Sequence, residues 1–170
     1  NDYKLIKKNQ LCITDPFSVR SLYPDSKRLA ETILYSASVI DNLKIDIIRI
    51  FHTYGPFLKL NDQRIFSLII NSFLNKKTLI LNNPSPMRCY CYILDFTDAL
   101  IKIISNKTNS FDVYDCANVN EEYSNIDLLK NLSDEFSNEN FKFKLDNKYK
   151  SIKYSILRAR PNISKIKKLG

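Results

Sequence analysis

Glycine is nearly absent from this chain: Gly55 and Gly170 are the only two among 170 residues. The phosphate-binding loops of the dinucleotide and mononucleotide types need several glycines at fixed spacing, because the backbone must approach the phosphates closely. Neither type of loop exists in this sequence. Any phosphate cradle therefore lies elsewhere than in a glycine-rich loop.

Long apolar runs are also missing. No stretch approaches the ~20 apolar residues that a membrane-spanning helix requires, although 44% of the residues are hydrophobic. This composition predicts one globular domain with a core and no membrane segment. The chain begins at Asn1 with neither an initiator methionine nor a signal-peptide pattern, and it ends at Gly170 directly after the helix-like ISKIKKLG. We expect it to be part of a longer cytoplasmic protein.

Metal-binding patterns are absent as well. The four cysteines, Cys12, Cys89, Cys91 and Cys116, show no Cys-x-x-Cys spacing, and the single histidine, His52, is remote from them in sequence. The sequence therefore predicts no metal site. Cys89 and Cys91 are two residues apart in a strand-like run, which predicts side chains on the same sheet face. We interpret them as buried free thiols in a reducing cytoplasm.

Acidic residues are scarce in one region only. The formal net charge is +8, and residues 142–170 hold ten Lys or Arg against one acid, so residues 1–141 are close to neutral. A basic segment of this kind is either an arm for nucleic acids or other anions, or a solvated face. The solvated face is favoured, because no aromatic-interleaved binding motif accompanies the charge. Nucleic acid is therefore not the expected partner.

The apolar pattern predicts alternating helices and strands. Ser21 to about Asn42 has helical spacing, and Ile45–Phe51 is a continuous apolar run typical of a parallel strand buried on both faces. After the loop HTYGP, the further helices are RIFSLIINSFL, FTDALIKIISN with Asp95 as its cap, and a helix from Ser124 to about Phe136; the further strands are KTLIL, RCYCYIL, SFDVYDCA and FKFKL. The sequence predicts an α/β fold without internal repeats.

Tyr23 and Lys27 begin the first predicted helix. Their spacing of four residues places both side chains on one helix face. The pair is either a proton-transfer device or two solvated residues, and the spacing alone does not decide between them.

Five segments are more specific than the spacing of Tyr23 and Lys27, because they follow one another in the order and spacing of one enzyme family. They are RSLYPDSKRLAET, IIRIFHTYGP, DQRIFSLIINSFLNKKTLIL, RCYCYILDFTDAL and RARPNISKIKKLG. From about Asp15 to Gly170 the chain resembles the extended short-chain dehydrogenase/reductases that act on nucleotide sugars. It is most similar to their UDP-glucuronate decarboxylases and dTDP-glucose 4,6-dehydratases. The resemblance implies the C-terminal portion of a Rossmann-type enzyme. Residues 1–56 would end the NAD-binding domain, and residues 57–170 would form mostly the smaller sugar-nucleotide subdomain, interleaved with returning Rossmann elements.

The resemblance assigns chemistry to Tyr23 and Lys27. Tyr23 matches the catalytic tyrosine and Lys27 the lysine that holds the nicotinamide ribose, so both would contact NAD. A neighbouring ammonium favours a phenolate through charge attraction. The phenolate would take a proton from a sugar hydroxyl while hydride passes to NAD, and the keto-sugar would then undergo decarboxylation, dehydration or epimerisation.

The resemblance assigns binding roles to other residues. Arg88 matches the arginine that binds the nucleotide-sugar diphosphate, a task for which a planar guanidinium is suited. Arg64 falls where related decarboxylases carry an arginine near the cofactor; a solvated arginine is the alternative. Thr53 and Tyr54 lie where the family backbone passes the nicotinamide and the substrate. His52 stands where the family has a substrate-contacting asparagine, and titration near pH 6.5 would add pH dependence; an ordinary loop histidine is the alternative.

The resemblance also implies a homodimer, formed through the Tyr23 helix and the next long helix, and a place in cell-surface polysaccharide synthesis. The family's glycine-rich fingerprint and catalytic acid precede the Tyr-x-x-x-Lys block. We therefore expect the 170 residues alone to expose a sheet edge and helix faces, and neither to bind NAD tightly nor to turn over. The alternative is a non-catalytic relative that binds a sugar nucleotide or an acidic partner.

Overall fold

The computed structural model describes residues 14–106, 111–135, 141–146 and 158–170. Helices and strands alternate along these ranges, which confirms the α/β prediction. The helices are α1 Leu22–Ile40, α2 Ile65–Leu74, α3 Ile93–Ser105, α4 Asn125–Glu135 and the short α5 Ser164–Lys167. The strands are β1 Ile45–Ile50, β2 Thr53–Tyr54, β3 Leu79–Leu81, β4 Met87–Cys89, β5 Cys91–Tyr92, β6 Phe111–Cys116, β7 Glu122–Ser124, β8 Phe143–Leu145 and β9 Arg158–Ala159.

Four small sheets organise the described strands. β1 pairs in parallel with β6, from Ile45 opposite Phe111 to Ile50 opposite Cys116. β2 pairs in parallel with β5, and β3 with β8. β4 lies between β7, which is antiparallel to it, and β9, which is parallel. The strand β6 thus pairs with β1, which follows α1, although they are distant in sequence. The β3–β8 and β7–β4–β9 sheets each combine strands from before and after β6.

The buried core lies among α2, β3 and α4. Its members are Ile69, Leu79, Leu81, Tyr90, Leu128, Leu129 and Phe141. Leu129 is fully buried. Removing such a leucine from water stabilises the fold by about 1.5–3 kcal/mol. Helix α4 is positioned for this packing by Ser124, which accepts a hydrogen bond from the backbone N–H of Asp127 at 3.1 Å. The predicted start of that helix at Ser124 is confirmed to within one residue.

Helix α1 is packed very differently. None of its residues is buried. It contacts the β1–β6 sheet through Arg49, whose guanidinium donates to both carboxylate oxygens of Glu31 at 2.7 and 2.6 Å. An edge-to-face contact between Tyr35 and Phe111, with ring centroids 5.1 Å apart, adds a second attachment. Exposed apolar side chains on the helix are Leu22, Leu29, Ile33, Leu34, Val39 and Ile40.

The prediction that β1 is buried on both faces is wrong for the described structure. No β1 residue is buried, and Ile50 is 59% exposed. The physical reason is that β6 is the only strand paired with β1 within the described ranges, and α1 covers the strand sparsely. The expected exposed sheet edge and helix face are both present.

The segment RCYCYIL is not one strand as predicted. β4 ends at Cys89, the backbone N–H of Tyr90 donates to Glu121 at 2.9 Å, and Cys91 opens a second strand in a different sheet. The helix then begins at Ile93, so Asp95 lies inside its first turn. The predicted cap at Asp95 is wrong, because Tyr92 occupies the N-cap position and makes no side-chain capping bond. A carboxylate in a first turn still complements the helix dipole.

Three of the C-terminal cations form ion pairs with acidic residues of the same chain. Arg158 donates two hydrogen bonds of 2.7 Å to the carboxylate of Glu122, and Arg160 pairs with the same carboxylate. Lys165 forms an ion pair with Asp112. These three cations therefore attach β9 and α5 to β7 and β6, which favours a structural role for them over a free anion-binding arm.

Two absences hold for the described ranges. Their helices include none that combines the length and apolar character needed to cross a bilayer. In the same ranges, no three His, Cys, Asp or Glu side chains come together as a set of metal ligands. Cys12, Phe136 and the part of the basic segment around residues 147–157 lie outside the described residues.

Candidate functional site

A cavity of about 210 Å³ opens where β2, β4 and the start of α2 meet. It is lined by four residues to which the family resemblance assigns binding roles: His52, Thr53, Arg64 and Arg88. The other lining residues are Leu58, Ile65, Phe66, Asn83, Pro86, Tyr90 and Asn125. The fold thus brings residues distant in sequence to one concave, partly apolar surface of the kind that small molecules bind.

Arg88 is the principal cation of this cavity. Its position in β4 is fixed by pairing with Tyr123 on one side and Ala159 on the other. The side chain is half-buried, and Nη1 donates to the carbonyl of Met87 at 2.7 Å. No acidic side chain forms a salt bridge with Arg88 in the ranges that the structure describes. Its remaining donors are therefore available for an anion.

Burial lowers the pKa of Arg88. A guanidinium nevertheless stays protonated at neutral pH, because its ordinary pKa lies above about 12. A half-buried positive charge without an acidic partner is costly, and an incoming phosphate would offset that cost through charge-assisted bonds.

A polar chain of residues that the sequence analysis missed forms one wall. Tyr90 is 2% exposed, and its hydroxyl donates to Asn125 Oδ1 at 3.2 Å. Asn125 Nδ2 in turn donates to the carbonyl of Asn83 at 2.8 Å. Burial raises the pKa of Tyr90 to about 12, so its phenol is neutral at physiological pH. No sequence signal marks this chain, because its members come from three separate segments.

His52 lies at the mouth of the cavity, with its ring edge-on to Tyr90 at a centroid distance of 5.9 Å. The surrounding protein, and secondly the positive charge of Arg88, lower the pKa of His52 to about 4. The expected titration near pH 6.5 is therefore wrong. The imidazole is neutral at pH 7, with one nitrogen able to donate and one able to accept a hydrogen bond.

Arg64 and Thr53 are the other two predicted binding residues that line the cavity. Arg64 occupies the N-cap position of α2, and its guanidinium is held by Asp62, with Nε donating to the carboxylate at 2.7 Å. The Thr53 hydroxyl donates to the carbonyl of Phe51 at 3.0 Å. Tyr54 is not among the residues that line the cavity; its ring stacks on the lining residue Phe66, with ring centroids 4.3 Å apart.

Tyr23 and Lys27 lie apart from the cavity lining, on the first two turns of α1. Lys27 Nζ is 5.6 Å from the ring centroid of Tyr23, as expected for residues on the same helix face. Tyr23 is 71% exposed. Lys27 is also exposed and forms no salt bridge with an acid of the described ranges. A free ammonium beside an open phenol is a donor set that fits the hydroxyls of a nucleotide ribose.

The model of one protein family, described as the NAD dependent epimerase/dehydratase family, matches residues 3–117. The chain belongs to this family. Family membership makes NAD the cofactor, and the Tyr23 and Lys27 helix lies within the matched region.

Curated relatives include UDP-glucuronic acid decarboxylases. The Arabidopsis thaliana enzyme 3 is 35% identical over 101 residues, which are 58% of this chain and 30% of that protein. The Xenopus tropicalis enzyme 1 is 26% identical over 97 residues, 56% of this chain and 23% of that protein. The chain therefore matches less than a third of the length of these relatives.

Solved structures show the same fold. A UDP-glucuronic acid 4-epimerase from Bacillus cereus, in complex with UDP-glucuronic acid and NAD, superposes with a TM-score of 0.80 at 22% identity, covering 98% of this chain and 50% of that one. A dTDP-glucose 4,6-dehydratase from Bacillus anthracis in complex with NAD gives 0.75 at 19% identity, covering 99% and 50%. The chain thus has the architecture of about half of a Rossmann-type epimerase or dehydratase.

Proposed function

We propose that the full-length protein is an NAD-dependent enzyme that modifies nucleotide sugars, with UDP-glucuronate decarboxylation as its reaction. The observation that carries the proposal is the cavity in which Arg88, which forms no salt bridge with an acid of the described ranges, lies beside the neutral imidazole of His52. The identity to plant UDP-glucuronic acid decarboxylases supports the choice of reaction.

Arg88 and His52 bind the substrate in this proposal. The guanidinium of Arg88 donates to the diphosphate, and its burial strengthens the interaction because water competes less. His52 is neutral, so it adds no second positive charge and instead donates or accepts one hydrogen bond to a sugar or phosphate oxygen. Tyr90 and Asn125, joined by a hydrogen bond, supply polar groups to a cavity that apolar side chains also line.

Tyr23 and Lys27 act at the cofactor side. NAD, when bound, would supply the hydride acceptor for oxidation of the sugar carbon. Lys27 holds the ribose hydroxyls and stabilises the phenolate of Tyr23 by its charge. Tyr23 takes the proton from the sugar hydroxyl as general base. Thr53 and Arg64 lie at the part of the cavity that we assign to the cofactor boundary, where Arg64 would exchange its pairing with Asp62 for a contact with the cofactor.

We further propose that residues 1–56 end the NAD-binding domain and residues 57–170 form mostly the sugar-nucleotide subdomain. The return of β6 to β1 supports the interleaving of the two. The exposed apolar side chains of α1 support a homodimer formed through that helix. The free buried thiols Cys89, Cys91 and Cys116 support a cytoplasmic location, because such thiols persist in reducing compartments.

The test is to incubate the full-length protein with NAD and a panel of UDP-, dTDP-, CDP- and GDP-sugars, and to identify products by mass spectrometry. We expect UDP-glucuronate to lose CO₂ and yield a UDP-pentose. Loss of water from an NDP-glucose would identify the reaction as dehydration instead of decarboxylation. A product of unchanged mass would identify it as epimerisation. A folded protein that binds NAD and converts no sugar would contradict the proposal and leave a non-catalytic binding role.

A further inference from the structure

Two cysteines from different sheets line one small cavity beside the segment that leads into the candidate site. Cys91 in β5 is 2% exposed and Cys116 in β6 is 3% exposed. The two backbones are held by consecutive residues of one segment: Phe51 N–H donates to the carbonyl of Cys116 at 3.1 Å, and Cys91 N–H donates to the carbonyl of His52 at 3.2 Å. The thiol of Cys91 donates to the carbonyl of its neighbour Tyr92 at 3.7 Å, and both cysteines line one small cavity. Both cysteines are free thiols.

A cavity of about 200 Å³ adjoins both sulfurs. Its other lining residues are Asp95, Ala99, Ala117, Asn118 and Ile166. This volume exceeds the roughly 30 Å³ that one water occupies in the liquid, so a molecule the size of hydrogen peroxide fits beside the pair. Cys89 is also buried and free but does not line this cavity, which makes it a matched control within the same chain.

The environment makes the two thiols unequal. The neighbouring Cys116 thiol lowers the pKa of Cys91, against the opposing effect of burial. The proximity of Cys91, together with burial, raises the pKa of Cys116. Cys91 is therefore the sulfur that ionises first, and the thiolate is the nucleophilic form of cysteine. Cys116 is placed to attack after Cys91 has reacted.

We propose that Cys91 and Cys116 are an oxidation site at which a hydroperoxide converts the two thiols into an intramolecular disulfide. The Cys91 thiolate attacks the peroxide, breaking its O–O bond to give a sulfenic acid and an alkoxide or hydroxide that takes up a proton. The Cys116 sulfur then attacks the sulfenic sulfur, forming the S–S bond and releasing water. The pair loses two electrons, and one hydroperoxide is reduced to an alcohol or water.

The disulfide would be a covalent link between β5 and β6 next to the segment that carries His52. In the reduced protein, each of these strands is hydrogen-bonded there to the segment 51–52, Cys116 to Phe51 and Cys91 to His52. Oxidation would therefore restrict any separation of the β2–β5 and β1–β6 sheets next to the cavity that contains Arg88.

The experiment uses the full-length protein, reduced and then treated with hydrogen peroxide under native conditions. Remaining thiols are alkylated in denaturant before tryptic digestion and mass spectrometry. Cleavage after Arg88, Lys102, Lys107 and Lys130 places Cys89 and Cys91 on peptide 89–102 and Cys116 on peptide 108–130, and fragmentation of the linked pair in the mass spectrometer shows which of the two cysteines is joined and which is alkylated. We expect these two peptides to become linked, with the loss of two hydrogens, and to separate again after treatment with dithiothreitol.

Variants assign the bond. Cys89→Ser should form the linked peptide as the wild type does, whereas Cys91→Ser and Cys116→Ser should not. The proposal is overturned if both cysteines of the wild type remain alkylatable after peroxide treatment, if they are oxidised singly to sulfinic acid, or if Cys89 is the residue linked. Because the fragment ions of the wild-type linked peptides distinguish Cys89 from Cys91, a variant that fails to fold does not prevent the test.

Discussion

The two parts of the molecule that carry the candidate chemistry differ in how they are packed. The α2–β3–α4 part has a closed core that contains the fully buried Leu129, and the cavity with Arg88 lies on it. The part formed by α1, β1 and β6 has no buried residue in α1. The part that contains the Arg88 cavity thus has a buried core within the described residues, while the part that carries Tyr23 and Lys27 presents an open face.

This difference has a physical consequence for function. A cavity on a packed core keeps its shape because neighbouring side chains cannot move far without losing contacts. The side chains of Tyr23 and Lys27, on a helix attached mainly by one ion pair and one aromatic contact, have little around them to fix their positions. Further protein that covers α1 would orient them, and the chain spans about half the length of the solved structures that it matches.

The largest expected difference between the two parts is in stability. Leu129→Ala removes a fully buried side chain and should lower the free energy of unfolding by about 2–5 kcal/mol. Leu29→Ala, the matched change on α1, removes a side chain that is 60% exposed and should cost less than about 0.5 kcal/mol. Urea unfolding of the 170-residue chain measures both.

Equal losses for the two leucines would show that α1 is packed as well as the core. The unfolding free energies of the same two variants should also be measured in the full-length protein. A larger cost for Leu29→Ala there, dependent on protein concentration, would locate a subunit contact on α1, because dimer stability depends on concentration.

The next effect concerns substrate affinity on the packed side. Arg88→Met removes the donors proposed for the diphosphate while keeping an unbranched side chain. Since hydrogen bonds to charged groups are worth about 1.5–3 kcal/mol, KM for the nucleotide sugar should rise by about 10- to 150-fold. Arg20→Met changes an exposed arginine outside the cavity and should leave KM unchanged. Steady-state kinetics in which the two variants have the same KM would refute the assignment of Arg88.

The smallest effect concerns the attachment of α1. Glu31→Gln replaces the carboxylate that accepts two hydrogen bonds from Arg49 and should cost about 1 kcal/mol at pH 7. Arg49 lowers the pKa of Glu31, so this stability is present above the unfolded-state pKa of about 4.5 and is lost as the pH falls through the lower folded-state pKa. Urea unfolding should show the variant and the wild type converging below pH 4.5. A constant difference down to the lowest pH would contradict the role given to the ion pair.

The sequence was a good guide to elements with strong local signals. The periodicity of α1 and α2 and the cap at Ser124 predicted helices to within a few residues, because these signals lie within one segment. The break at Tyr90 was not predictable in this way, since it depends on a hydrogen bond to Glu121, which lies 31 residues later. The alternation in RCYCYIL resembles a single strand until that partner is known.

The same distinction applies to the site. Family resemblance marked His52, Thr53, Arg64 and Arg88, and the structure places all four on one cavity. The low pKa of His52 could not be predicted, because its causes are the protein packed around it and the approach of Arg88, 36 residues away in the chain.

The most direct test of the central claim is the turnover of Tyr23→Phe in the full-length protein. The change removes the hydroxyl proposed as general base and should reduce kcat by about 10²- to 10⁴-fold, with binding of NAD and of the nucleotide sugar nearly unchanged. Tyr35→Phe, the same substitution at another exposed tyrosine of α1, should retain wild-type turnover. Wild-type turnover in Tyr23→Phe would contradict the account, because the reaction would then proceed without the proposed base.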